Sequence, residues 1–184
     1  MEARMQDLSK LFEKISDLLR TKLNLESVAP QILEELGRAF RCEWGTYWQV
    51  SEQFLRLEPL LTWVEQGFAA PNLERDTKGR TLSTSEGTAG HVWRSRKPVW
   101  TLDLIKDMCL PRSLDANRSG LTGGIWFALK TEDRVFGIIE LLGRHVTPPT
   151  EELLVDIESF GFRLGHLLQE RLIEVPSPTN ILAE

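Results

Sequence analysis

"GGIWFALKTEDRVFGIIELLG", residues 123–143, holds two apolar runs of eight and nine residues split by Thr131, Glu132, Asp133 and Arg134. Runs this short, almost wholly apolar and edged by glycine, read as strands. The charged tetrad between them reads as a hairpin turn, so the two strands are antiparallel neighbours. Upstream, residues 42–50 (CEWGTYWQV) set Trp44, Thr46 and Trp48 against Tyr47 and Gln49. That alternation predicts a strand with two differently dressed faces. After the Ser51-Glu52-Gln53 turn, FLRLEPLLTWV predicts its hairpin partner, with Pro59 marking an edge or a bulge.

Helical spacing brackets these strands. Leu8, Leu11, Phe12, Ile15, Leu18 and Leu19 recur at three and four, as do Ile32, Leu33, Leu36 and Phe40. Asn24 and Ser27 are both plausible caps for the second helix, and Pro30 favours Ser27 because proline is tolerated in a first turn. Thr147-Pro148-Pro149-Thr150 starts a third long helix that runs to about residue 175, before Pro176. Along it Leu153, Ile157, Phe160, Leu164 and Leu167 form a heptad seam, from which we expect a parallel helix of a second subunit in addition to packing on the sheet. Residues 65–85 show little periodicity and read as a loop. Short helices are expected at residues 88–95 and 113–118, and a short strand at residues 98–101. The order predicts an α+β fold with an antiparallel sheet.

Composition bounds the function. The 184 residues carry 22 basic and 27 acidic side chains, a net charge of −5 with no basic stripe, which argues against nucleic acid as a partner. No apolar run reaches the roughly 18 residues of a membrane span and no signal core opens the chain, so a soluble cytoplasmic protein is expected. Cys42 and Cys109 are the two cysteines, without a CxxC pair, and His91, His145 and His166 fall on different predicted elements. Neither a metal site nor a haem site is indicated.

Several motifs then occur in order: Gly87, Gly90, Val92 and Trp93; Pro98, Trp100 and Asp103; Pro111, Arg112 and Ala116; Gly120 and Leu121. Together with EWGTYW at residues 43–48 they resemble the GAF domain of bacterial signalling proteins over residues 5–172. The resemblance implies a central antiparallel sheet, terminal helices on one face forming a dimer bundle, and short helices and loops covering a small-molecule pocket on the other. It assigns residues 1–172 to one sensory domain including the bundle helices, with 173–184 as a flexible tail or linker. It also implies a homodimer and an output domain, a histidine kinase or a diguanylate cyclase, on a parent or partner chain.

The residues assigned to the pocket are Trp48, Trp93, Trp100, Asp103, Arg112 and Trp126. Indole rings offer a flat wall to a planar ligand. Arg112, with Asp103 and Asp115 nearby in sequence, either clamps the cover through a carboxylate or presents its guanidinium to an anion; the clamp is preferred. GTAG is not a phosphate loop, since no Gly-Lys-Ser/Thr follows; its glycines serve a tight turn. Residues 115–119 lack the cysteine that bilin-binding relatives use, Cys109 alone is weak evidence for one, and two distant thiols do not make a sulfoxide reductase site. No nucleophile elbow is present. The expected protein is a non-catalytic sensory module with an unknown ligand and no assigned cofactor; the alternatives are a structural scaffold with a tryptophan-filled interior and a bilin-type photosensor.

Overall fold

The computed structural model describes residues 2–21, 25–106 and 112–174. Asn24, Cys109, Pro111 and the tail beyond residue 174 lie outside the described residues. Eleven elements follow in order among those described: α1 (Glu2–Thr21), α2 (Leu25–Phe40), β1 (Trp44–Ser51), β2 (Arg56–Val64), α3 (Pro71–Lys78), α4 (Gly87–Ser95), β3 (Val99–Thr101), α5 (Ser113–Arg118), β4 (Gly123–Lys130), β5 (Val135–Gly143) and α6 (Glu151–Glu174).

The strands form one antiparallel sheet in the order β2-β1-β5-β4-β3. The opening stretch is its centre, with β5 hydrogen-bonded to β4 on one side and β1 on the other. Pro59 sits on the edge strand opposite Trp48, where the β1–β2 register shifts, so its missing N–H costs no central ladder bond. Period-two alternation divides the core. Tyr47, Ile125, Phe127, Ile139 and Leu141 point to the layer built by α1, α2 and α6. Trp44, Trp48, Trp126, Ile138 and Leu142 point the other way, to a cover made of α3, α4, α5 and their loops.

Two sequence expectations change. Residues 71–78, read as loop, form α3: Pro71 supplies the first-turn proline, and Leu73 and Thr77, four apart, are its buried side chains. Lys78 reaches Glu74, and Arg80 just past its end reaches Asp76, each at four-residue spacing, so polar pairs dress its outer face. The apolar content was too low for periodicity to register. Helix α2 starts at Leu25, so Ser27 is helical instead of capping and Pro30 lies inside the helix, at the loss of one backbone hydrogen bond.

Helix α6 spends its seam within the chain. Leu153, Ile157, Phe160, Leu164 and Leu168 are buried against the sheet and its helical neighbours, with Phe160 edge-on to Phe12 at 5.9 Å and to Phe127 at 6.1 Å. Leu168 completes the buried row, and Leu167, the expected seam residue, packs half-buried beside it. The helix sits directly on β4, because Gly161 and Gly165 present no side chain there. A Cβ at either position would collide with a strand carbonyl oxygen, that of Ala128 or of Lys130. At the end of β4 the Lys130 ammonium donates to the Arg96 carbonyl at 2.5 Å and to Glu158 Oε1 at 2.7 Å, tying the end of α4 to α6.

On an exposed helix surface Gly→Ala stabilises by about 1 kcal/mol. Gly161→Ala and Gly165→Ala are expected to have the opposite sign, each destabilising by roughly 1–3 kcal/mol or more through overpacking against backbone. Urea unfolding of the single variants, beside the exposed control Ser159→Ala, measures this.

Candidate functional site

Glu140 is the feature from which the cover-side interior is organised. Cross-strand pairing sets it between Thr46 of β1 and Trp126 of β4, on a sheet face that the cover closes, and none of its surface is exposed. Its carboxylate therefore has to be met by donors from the protein. Trp126 Nε1 donates to Oε2 at 2.9 Å. Arg112, the N-cap residue of α5, sends Nη2 to Oε1 at 2.7 Å and to Oε2 at 2.8 Å.

The rest of the guanidinium is gripped by other elements. Arg112 Nη1 donates to Thr77 Oγ1 at 2.5 Å, and that hydroxyl in turn donates to the Leu73 carbonyl at 2.7 Å, one turn back in α3. The guanidinium carbon stands 5.0 Å from the centre of the Trp48 ring, within cation–π range. Strand, helix and cover thus converge on one charge. Arg112, Glu140, Trp48, Trp126 and Thr77 are 0–1% exposed, so the cluster is closed off from solvent. Two donors of this cluster, Arg112 Nε and Trp48 Nε1, have no hydrogen-bond partner among the described residues.

The six residues assigned from sequence separate into three groups. Trp48, Trp126 and Arg112 come together as described. Trp93 is half-buried at the margin of the same layer. Trp100 is a correction: it pairs with Ile125, one residue out of phase with Val99 and Trp126, and so faces the helices. There it lies edge-on to Phe40 at 6.1 Å and borders a cleft of about 760 Å³ with Leu8, Arg41, His145 and Leu153.

Asp103 also moves out of the interior. Its Oδ1 accepts from the backbone N–H groups of Ile105 and Lys106, each at 3.1 Å, closing a surface turn. The Lys106 N–H bond, with its side chain and the Ile105 N–H, holds the carboxyl below the usual aspartate range. Asp115 pairs with Arg118 at 3.4 Å on the exterior. The clamp expected for Arg112 exists, but its carboxylate is Glu140, 28 residues on in sequence.

Glu140 had a signal of its own: it is the lone acid in VFGIIELLG, a run buried at every position. Thr77 had none while its segment read as loop. Of the GTAG glycines, expected to serve a tight turn, Gly87 does so and Gly90 instead lies within α4. Gly87 adopts φ +65°, and Gly90 packs so closely on the Ser83 carbonyl that a Cβ would collide. Among the described residues no three His, Cys, Asp or Glu side chains gather at metal-binding distance, and no helix is long and apolar enough to cross a membrane.

A central antiparallel sheet, with long helices on one face and a short-helix cover closing over a polar cluster on the other, defines an α+β module with a covered interior. The sequence profile of the GAF domain matches residues 22–169, and the chain belongs to that family. GAF domains are generally sensory or regulatory modules and typically non-catalytic.

Solved structures agree on the fold. The GAF domain of a phosphoenolpyruvate-protein phosphotransferase from Coxiella burnetii is similar at TM-score 0.73 and 14% identity, over 92% of this chain and 97% of that one. Free methionine-R-sulfoxide reductase from Neisseria meningitidis, in complex with its substrate, is similar at 0.70 and 15%, over 91% and 92%. The A. aeolicus nlh2 GAF domain in an inactive state gives 0.68 and 15%, over 91% and 99%. No curated protein matches the chain.

Removing one partner of a buried ion pair strands the other charge, at a cost of about 3–5 kcal/mol. Arg112→Met and Glu140→Leu are each expected to destabilise on that scale, and the double variant to recover most of the loss. A double-mutant cycle by chemical denaturation measures it; additive effects would contradict the pairing.

Proposed function

We propose that the chain is a non-catalytic, small-molecule-sensing and dimerising module of a bacterial signal-transduction protein, working in the cytoplasm. A ligand engages the cover-side interior, and the change passes through α1 and α6 to an output domain, a histidine kinase or a diguanylate cyclase, on a parent or partner chain. The observation that carries this reading is the Arg112–Glu140 contact, a single buried ion pair joining the cover to the central strand. Well-packed apolar side chains would fill the same space at similar or lower free energy. The pair is therefore a poor choice for stability alone, and a good one for a contact that a polar ligand exchanges. Trp48, Trp126 and Arg112 are the contacts proposed for the ligand, with Trp93 at the margin; Trp100 and Asp103 are withdrawn.

Thiol chemistry of the kind named for the sulfoxide reductase neighbour receives no support from Cys42. Burial, with the Glu43 charge adding to it, pushes that thiol up to about 12, which keeps it protonated and unreactive at neutral pH. A purely structural scaffold is the second reading, favoured by the close packing around Trp48, Trp126 and Arg112.

Native mass spectrometry of freshly purified protein, followed by a metabolite screen, separates the two. A bound or selectable metabolite, its affinity changed by Arg112→Met, is expected for a sensor; an interior that takes no small molecule supports the scaffold. Dimerisation is tested separately. With the heptad seam buried within the chain, the proposed contact uses the outer faces of α1 and α6, where Val155 is 67% exposed. Light scattering at micromolar concentration is expected to give twice the 21.0 kDa of one chain, and Val155→Arg to shift it toward monomer. A monomeric wild type removes the dimer from the proposal.

A further inference from the structure

The parts that grip Arg112 belong to elements other than the one that carries it. Glu140 of β5 supplies two oxygens, Thr77 of α3 a third, and Trp48 of β1 an aromatic face. Trp126 Nε1 fixes one Glu140 oxygen, and the Thr77 hydroxyl is committed as donor to Leu73, so acceptors point inward whether or not Arg112 is seated. A carboxylate edge, a further oxygen and a π face around one planar cation form a recognition set for guanidinium. An ammonium, a point charge without the planar fork, matches it less well.

We propose that this cradle is a guanidinium receptor which Arg112 fills from within the chain, and that a small molecule bearing a guanidinium or amidinium group competes for it and frees the cover. The inference rests on the sensory reading and names the ligand class and the regulation of that site. Charge decides against the more obvious assignment of an anion to Arg112. The pair with Glu140 is already neutral, and an anion brought beside it would be an uncompensated buried charge. Exchanging one guanidinium for another conserves the charge. The tethered occupant is also imperfectly served, since its Nε–H and the adjacent Trp48 Nε1–H lack acceptors among the described residues. Displacement releases Arg112 and with it the start of α5.

A tethered competitor lowers the apparent affinity of any free ligand by the fraction of time it occupies the site. Agmatine is the probe and putrescine the ammonium control, titrated calorimetrically at matched ionic strength into the full chain. Arg112→Ala is expected to bind agmatine at least about tenfold more tightly than wild type, and putrescine at least about tenfold more weakly than agmatine. Glu140→Gln is expected to abolish agmatine binding. Equal affinities in wild type and Arg112→Ala, or no binding to either, would overturn the proposal.

Should Arg112→Ala not fold, hydrogen exchange on wild type gives the same answer. Agmatine, and not putrescine, is expected to speed exchange at residues 112–121; unchanged rates overturn the proposal. Its failure is separable from failure of the sensory reading. A co-purifying metabolite without a guanidinium or amidinium group sinks the receptor and leaves the sensor standing, whereas a protein that binds neither agmatine nor any metabolite loses both.

Discussion

A carboxylate on the central strand of a sheet covered on both faces has to be neutralised by the protein, and the rest of the cover-side layer follows from that requirement. Glu140 faces away from the long helices, so its counter-charge has to come from the chain that closes over the other face. Arg112 provides it and thereby fixes where α5 begins. Thr77, taking up the remaining edge of the guanidinium, ties α3 to the same point. Trp48 and Trp126 complete the surroundings, one stacking on the cation and the other donating to the anion. Five residues from five elements are positioned by one electrostatic demand.

The helical face obeys a different rule. It is apolar almost throughout and is organised by side-chain shape: Phe12, Phe127 and Phe160 meet edge to face, and glycines let α6 approach the strand. Hydrophobic packing is non-directional and tolerant of substitution of like volume. An ion pair is directional and intolerant. The sheet separates a layer that can repack gradually from one whose central contact is either made or broken.

That contrast also explains what was legible beforehand. Strand alternation, apolar runs and three-four spacing are direct traces of burial, and with proline and glycine punctuation they predicted every strand and five of the six helices among the described residues; α3 escaped because only Leu73 and Thr77 turn inward. The heptad on α6 was visible, and its row packs on the chain's own sheet, the part of the expectation that concerns a single chain. At the site, Trp48 and Arg112 carried motif signals, and Trp126 was assigned through the strand that carries it. Their partner Glu140 is distant from Arg112 in sequence, and local reading pointed to Asp103 and Asp115 instead. Trp100 was misassigned by one step of a two-residue period, which is the full distance between the two faces of a strand.

Helix α6 rests on β4 without side-chain padding at Gly161 and Gly165. Contacts through long side chains absorb displacement by changing rotamer, whereas backbone on backbone has little compliance. Its seat is therefore stiff, and any tilt of the helix has to pivot on the strand that also carries Trp126. At 1.5 Å per residue its 24 residues span roughly 36 Å, so a tilt of about 5° at the seat sweeps an end-to-end offset of about 3 Å. Two absent methyl groups set how closely, and so how rigidly, the longest helix among the described residues is seated on the sheet.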